Sequence, residues 1–178
     1  YKKRGDLDEA SKVLQALLKD QPNHTKALLL MARILFLQRK YDEAIAWSDE
    51  VYTYGKTHGA ARELQIEIYA EVGNWEKAKE VAQLLVRENP SNTDHLVQLA
   101  QIAMKAGDQQ LAQNTLGRLY PLWKRDLGKL RRLAEMQASF NNPKAARKTL
   151  HGALKLDKDA YEVQLDIARL DLAEGKYD

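Results

Sequence analysis

The fold of this chain is decided by residues 73–90, which read GNWEKAKEVAQLLVRENP. Within this stretch Ala78, Ala82 and Leu85 recur at the i, i+4, i+7 spacing of a helix that is buried on one face. Gly73 is the residue type that ends a preceding helix, and Pro90 cannot continue the helix that it follows. The stretch therefore predicts one helix with a turn at each end.

The same pattern returns along the chain at an interval of 34 residues. Five alanines share the phase, namely Ala10, Ala44, Ala78, Ala112 and Ala146. The positions five residues earlier, and the next one in phase, hold Gly5, Arg39, Gly73, Gly107, Asn141 and Gly175. Glycine, and after it asparagine, best accepts the left-handed backbone that caps a helix. Because a fixed period between roughly 20 and 50 residues marks a repeat architecture, we expect a stack of helical repeats.

Each repeat also contains an earlier helix. Its apolar stripe is Leu28, Met31, Ala32 and Leu35 in one repeat, Leu96, Leu99, Ala100 and Ala103 in another, and Leu130, Leu133 and Ala134 in a third. The period thus predicts an all-α, right-handed solenoid of antiparallel helix pairs, ten helices in all. The predicted turns within the repeats are residues 38–41, 72–75, 106–109 and 140–143.

The predicted organisation is one array over residues 1–178. It divides into a partial repeat (1–24), four full repeats (25–58, 59–92, 93–126 and 127–160) and a second partial repeat (161–178), with the first helix beginning near residue 7. Both ends fall inside a repeat, whereas solenoids need polar capping helices at their ends. We therefore expect the chain to be a piece of a longer protein.

The chain resembles the tetratricopeptide repeat family along its whole length. The residues that carry the resemblance are Leu99-Ala100, Gly107-Asp108 and Ala112, and in the preceding repeat Tyr69, Gly73, Trp75, Ala78 and Pro90. Gln109 and Pro143 replace the aromatic residue of the family pattern, and Arg39 and Asn141 replace its glycine. The resemblance implies a non-catalytic scaffold for protein–protein interaction, in which the first helix of each repeat lines a concave groove.

The groove residues that we expect to contact a partner were chosen by their phase in these first helices. They are Leu29, Arg33, Phe36, Glu63, Glu67, Glu71, Gln101, Lys105, Arg131 and Arg132. Glu63, Glu67 and Glu71 form a like-charged i, i+4 series, which favours a neighbouring cation. That cation is either internal, from Arg33 or Lys105, or belongs to a basic amphipathic helix of a partner, for which the leucines near Phe36 offer apolar contact. Alternatively, a neighbouring repeat covers those leucines.

Charge is unevenly distributed although the net charge is only +3. Residues 42–94 hold five Lys/Arg and eleven Asp/Glu, whereas residues 117–158 hold eleven Lys/Arg and three Asp/Glu. Solvated surface explains this pattern, and so do contacts with a partner of opposite polarity or between copies of the chain. Binding of a polyanion by the basic stretch 117–158 is a further alternative. Nucleic acid is disfavoured because interleaved aromatic residues are missing.

Catalysis and cofactor binding find no support in the sequence. The four histidines lie far apart and form no ligand pair, so neither a metal site nor any other cofactor is predicted. Cysteine is absent and no apolar run is long enough to span a membrane. A lysine/asparagine clamp for chaperone tails is also missing. Trp123 either packs under the turn that Pro121 imposes or anchors a partner.

Three classes of function remain open. The first is an interaction scaffold for a protein or peptide partner, and the second is polyanion recognition. The third is an architectural docking arm, such as the resemblance implies for bacterial envelope and exopolysaccharide-export proteins, which would place the chain in the periplasm.

Overall fold

A computed structural model describes residues 2–54 and 58–175 of the chain, with side chains for residues 5–54 and 59–175. This described part is helical and contains no β-strand. Its helices are α1 (Lys2–Asp20), α2 (Thr25–Leu37), α3 (Tyr41–Tyr54), α4 (His58–Glu71), α5 (Trp75–Glu88), α6 (Thr93–Lys105), α7 (Gln109–Gly117), α8 (Leu119–Trp123), α9 (Leu127–Ser139), α10 (Pro143–Leu154) and α11 (Tyr161–Ala173). The predicted all-α fold of paired helices is confirmed.

The predicted turns are confirmed, and their backbone explains the sequence phase. Gly73 and Gly107 have φ values of 75° and 81°, and the non-glycine residues Arg39 and Asn141 take the same left-handed conformation, at 62° and 56°. Each helix end is closed by a hydrogen bond from the next residue back over the last turn. For example, the Asp108 N–H donates to the Ala103 carbonyl at 2.8 Å. This arrangement satisfies carbonyl groups that the helix itself leaves unpaired.

Several helices begin at polar capping residues. The side chains of Asp108, Asp126 and Asn142 accept hydrogen bonds from backbone N–H groups three residues ahead, at 2.9–3.1 Å. Asn92 accepts two such bonds at the start of α6. Because each cap satisfies N–H groups that have no partner within the helix, the local sequence sets the helix starts as well as their ends.

The described residues form two compact bodies, and each is described by itself. The N-terminal body comprises residues 1–85. In it α2 packs against α1, α3 and α4, so that the first helices of two successive repeats touch. Its core contains the predicted stripe of α2 and, from α3 and α4, Ala44, Val51, Leu64 and Ile68. Connection residues 55–57 lie outside the described part of the chain.

A buried polar cluster replaces apolar contact between α3 and α4. Ser48 is fully buried at a position where other repeats hold an apolar residue, and Gln65 beside it is 5% exposed. The Gln65 side-chain amide donates to the Ser48 hydroxyl at 2.9 Å and to the Asp49 carboxylate at 2.6 Å, while it accepts from the Tyr52 hydroxyl at 3.0 Å. The amide is therefore satisfied, as a polar group in a core must be.

The C-terminal body comprises residues 86–178, of which residues 176–178 lie outside the described part. Within it α10 packs between α9 and α11, around a core of Leu130, Ala146, Leu150 and Val163. The second helix of the preceding repeat is broken into α7 and α8. Pro121 has no N–H to donate to the Gly117 carbonyl, so a continuous α-helix is not available there.

The repeated alanine is buried, as its phase predicts, in four repeats, but not in the first. Ala44, Ala78, Ala112 and Ala146 are at most 1% exposed, but Ala10 is exposed, in the open cleft between α1 and α2. Gly5, which the phase predicts as a helix end, lies inside α1. Its position is open, since nothing lies within 4 Å of an added Cβ atom, and glycine in an exposed helix costs only about 1 kcal/mol.

The ten predicted helices are present as eleven segments in the described residues, because one predicted helix is divided into α7 and α8 next to Pro121. Within the same residues, none of the helices has the length and apolar character that are needed to cross a membrane.

Candidate functional site

In the N-terminal body the predicted site residues lie on α2 and α4. Arg33, Glu63, Glu67 and Glu71 are exposed, and Leu29 is half-buried. The Arg33 guanidinium contacts the Glu67 carboxylate at 2.7 Å, which joins two positions 34 residues apart. Residues of equal phase in successive first helices therefore lie on one surface. We call the exposed residues Arg33, Glu63, Glu67 and Glu71 the acidic wall.

The ion pair in the acidic wall is open to competition. The side chains of Arg33 and Glu67 remain 50% and 43% exposed. Ion pairs of this kind contribute roughly 0–1 kcal/mol and are screened by salt. The internal cation that we expected is therefore present in Arg33, but a cation on a partner could displace it at small cost.

The leucines beside the acidic wall do not all face it. Leu30 is 55% exposed but lines a cleft of about 540 Å³ between α1 and α2, together with Val13 and Glu9. Phe36 packs on the N-terminal core and its ring centre lies 6.1 Å from that of Tyr41. The expected apolar surface around Glu67 is thus smaller than the sequence phase predicts, because Leu30 faces the cleft with α1 and Phe36 is partly covered by the core.

In the C-terminal body Arg131 and Arg132 line a cavity of about 600 Å³ between α9 and α11. Its other charged residues are Glu135, Asp166 and Arg169, and its floor includes Ala146 and Leu150 of α10. We call this cavity the charged groove. It combines charged rims with an apolar floor, which is the usual composition of a site for a small ligand or peptide side chain.

Arg131 is committed to its own body. Its Nε atom lies 2.6 Å from the Asp166 carboxylate, and its Nη1 atom contacts Glu162. The hydrogen bond with Asp166 raises the pKa of Arg131 above its ordinary value. The side chain therefore ties α9 to α11, and its expected role as a free ligand for a partner is reduced. Arg169 also approaches Asp166, at 3.6 Å.

Arg132 and Trp123 resolve an alternative that the sequence left open. Trp123 is 4% exposed, so it packs inside the C-terminal body and is not a surface anchor. The Arg132 guanidinium lies 5.9 Å from the centre of its ring, at cation–π distance. Arg132 itself remains exposed at the charged groove.

The remaining predicted residues, Gln101 and Lys105, are exposed one turn apart on α6. The ten predicted residues are thus divided between two bodies, and within each body the structure brings some of them together. The three other charged residues of the charged groove, Glu135, Asp166 and Arg169, are not among those ten. Their position in the repeat predicts a place on the same face, since each lies 34 or 35 residues from another first-helix residue of the predicted site or of the charged groove.

The described residues contain no group of three His, Cys, Asp or Glu side chains that could hold a metal ion. His24 serves the backbone, because its Nδ1 atom accepts a hydrogen bond from the Ala27 N–H at 3.1 Å at the start of α2.

Comparisons with known proteins agree with this architecture. Residues 1–61 match the family model described as tetratricopeptide repeat. Among curated proteins no match was found.

Solved structures resemble the fold over nearly the whole chain. YrrB, described as a TPR protein with an unusual peptide-binding site, is 14% identical, with a TM-score of 0.64 over 94% of this chain and 87% of its own. MamA from Desulfovibrio magneticus RS-1 is 16% identical, with a TM-score of 0.62 over 89% of each chain. The C-terminal part of a repeat protein from Cytophaga hutchinsonii is 19% identical, with a TM-score of 0.67 over 97% and 68%.

Proposed function

Because the chain is a tetratricopeptide repeat protein, we propose that it is a non-catalytic scaffold that holds a protein or peptide partner against its first helices. The observation that carries the proposal is the ion pair between Arg33 and Glu67. The two residues occupy the same position in successive repeats, and both lie at an exposed surface where their side chains do not contribute to a core. Exposed residues aligned in this way form a continuous surface for a partner.

We infer that the acidic wall binds a basic amphipathic helix. Glu63, Glu67 and Glu71 are spaced by four residues, so a partner helix with cations at the same spacing can pair with them. Charge complementarity of this kind gives specificity and a fast association rate more than raw affinity. A role as docking arm of a bacterial envelope or exopolysaccharide-export assembly stays a prediction that rests on the resemblance alone.

The test uses a labelled helical peptide with lysines at i, i+4 and i+8 and leucines along one edge. Its affinity is measured by fluorescence anisotropy for the chain and for Glu67→Lys/Glu71→Lys. We expect binding to weaken about tenfold or more, since two attractive contacts become repulsive. Glu43→Lys/Glu50→Lys is the matched control, because it makes the same charge change at exposed positions of α3, the second helix of its repeat.

Helical content and melting temperature of both variants should stay near those of the parent chain. If both variants weaken the peptide equally, the effect is one of net charge and the acidic wall is not the site. If only Arg132→Glu/Arg169→Glu changes the affinity, the site is the charged groove. Arg131 is left intact in that variant because it holds α9 to α11.

A further inference from the structure

A second charged cleft lies on the opposite side of α10 from the charged groove. Its volume is about 450 Å³, and it is lined by Tyr120 of α8 and by Lys144, Lys148, His151, Gly152 and Lys155 of α10 and its end. We call these six residues the basic cleft. No carboxylate lines it, whereas the charged groove contains Glu135 and Asp166.

The lysines of the basic cleft form a row. Lys144, Lys148 and Lys155 are spaced by four and seven residues, so they lie on one face of α10 and extend over roughly 16 Å at 1.5 Å per residue. All three are exposed, and none forms an ion pair with another described residue. Ala146 and Leu150 on the other face are buried. The buried face of α10 thus holds the helix in place, while the lysine row on its other face lies in solvent.

Arg147 explains why the lysines have no internal partner. It also reaches this cleft, but its guanidinium contacts both Asp171 and Glu174, the acidic groups that the end of α11 brings to α10. The hydrogen bonds with these carboxylates raise the pKa of Arg147. Arg147 thus holds the carboxylates of Asp171 and Glu174, and the lysine row forms no ion pair with either of them.

The Tyr120 side chain lies against α10 at Gly152, where the absence of a Cβ atom leaves room for it. A Cβ atom on residue 152 would overlap the Tyr120 hydroxyl, and two ring atoms would lie only 3.2 Å away. Glycine is unfavourable in a helix interior, yet at Gly152 it lets the tyrosine ring lie directly on the surface of α10. The hydroxyl is thereby held among Lys148, His151 and Lys155, where it can donate a hydrogen bond to an anion.

We propose that the basic cleft binds an extended acidic peptide segment of a partner protein, whose Asp or Glu carboxylates pair with Lys144, Lys148 and Lys155. Alternate residues of an extended peptide are about 6.6 Å apart, which matches the roughly 6 Å rise between Lys144 and Lys148. One carboxylate of the same segment accepts a hydrogen bond from the Tyr120 hydroxyl.

A peptide fits the site better than a nucleic acid. Single-stranded nucleic acids are bound by aromatic faces on which bases stack, but the Tyr120 ring is packed on Gly152. Two exposed leucines lie close in sequence to the cleft: Leu122, two residues after Tyr120, is 46% exposed, and Leu156, which follows Lys155, is 47% exposed. They offer an apolar surface to apolar side chains of a peptide. Lysine also acts as a point charge, without the forked geometry that arginine offers to phosphate.

The experiment measures binding of a fluorescein-labelled decapeptide of alternating glutamate and leucine to the chain. We expect saturable binding that weakens with added salt. Lys148→Glu/Lys155→Glu should lower the affinity by about tenfold or more, because paired charges become repulsive. Lys12→Glu/Lys26→Glu is the matched control, since it makes the same change in net charge at exposed positions of α1 and α2 and should leave the affinity unchanged.

Tyr120→Phe tests the hydroxyl separately from the charges. It keeps the ring over Gly152, and it should weaken the peptide by a fewfold without changing the melting temperature. Failure of the peptide to bind at millimolar concentration, or equal loss in the two double variants, would overturn the proposal.

Two further outcomes would assign the cleft to another occupant. A single-stranded oligonucleotide of ten nucleotides that binds more tightly than the peptide, with loss in Lys148→Glu/Lys155→Glu, would show a polyanion site. Concentration-dependent dimers in sedimentation experiments that disappear in the same variant would show that a second copy of the chain is the occupant. Either result contradicts the peptide proposal.

Discussion

Substitution at the four left-handed turn residues should change stability in opposite directions. Among the positive-φ residues that lie between two described helices, each body contains one glycine and one non-glycine residue: Gly73 and Arg39 in the N-terminal body, Gly107 and Asn141 in the C-terminal body. Gly175, which follows α11, also has positive φ. Glycine adopts this conformation without a steric penalty, whereas a residue with a Cβ atom incurs one. Gly107→Ala and Gly73→Ala should therefore destabilise the chain, and Arg39→Gly should stabilise it.

The magnitude follows from the space around each glycine. Nothing lies within 4 Å of a Cβ atom built on Gly73 or Gly107, so the whole cost is conformational. The left-handed backbone costs about 1–2 kcal/mol for a residue with a Cβ atom, and loss of glycine returns about 0.4–1 kcal/mol through the unfolded state. The net cost is about 1 kcal/mol, and Arg39→Gly gains a similar amount. Asn141→Gly should be nearly neutral because asparagine tolerates this conformation.

The assay is thermal unfolding followed by circular dichroism, with urea unfolding for the free energy. For a chain of this size, 1 kcal/mol corresponds to about 2–4 °C in melting temperature. Gly117→Ala is the matched control. Gly117 also has open space around it, but its φ is ordinary and it lies in the last turn of α7, so alanine should be neutral or stabilising there.

This prediction would be contradicted if Gly107→Ala and Gly117→Ala changed the melting temperature equally. It would also be refuted if Arg39→Gly lowered stability, since the left-handed turn would then gain more from the arginine side chain than it loses to backbone strain.

Two further predictions concern the cores. Ala78→Leu and Ala112→Leu should each destabilise the chain by about 1–3 kcal/mol, because both alanines are completely buried and overpacking strains a core. The exposed control Ala60→Leu should leave the melting temperature unchanged. An unchanged melting temperature in the two core variants would show that their helices move apart at little cost. Gln65→Ala should cost about 1–3 kcal/mol in urea unfolding, because it removes three hydrogen bonds of a buried cluster, those with Ser48, Asp49 and Tyr52. The Ser48 hydroxyl keeps its bond to the Ile45 carbonyl, and a smaller loss would mean that water replaces the amide.

The helices, their turns and most of the core could be predicted from local sequence alone. These features depend on local chemistry that repeats: glycine or asparagine at the left-handed position, a capping side chain after it, and an apolar stripe at helical spacing. Gly107, Asp108 and Ala112 illustrate all three within six residues. The phase failed at Ala10 and Gly5: a buried position requires a covering helix as well as a small residue, and Ala10 lies in the open cleft between α1 and α2, while Gly5 lies inside α1.

Which exposed charges are available to a partner depends on the packing of the helices, and the sequence alone does not give it. Arg131 and Arg132 are adjacent and equally basic in sequence, yet Arg131 is held by Glu162 and Asp166 while Arg132 lies over Trp123. On α10, Arg147 takes the carboxylates of α11 and leaves the lysines beside it without ion pairs. The ion pairs of Arg33, Arg131 and Arg147 join residues that are 24–35 positions apart on different helices, so they depend on the distance between packed helices. Periodicity places such a residue on a face, but it cannot say whether a neighbouring helix brings an opposite charge within reach.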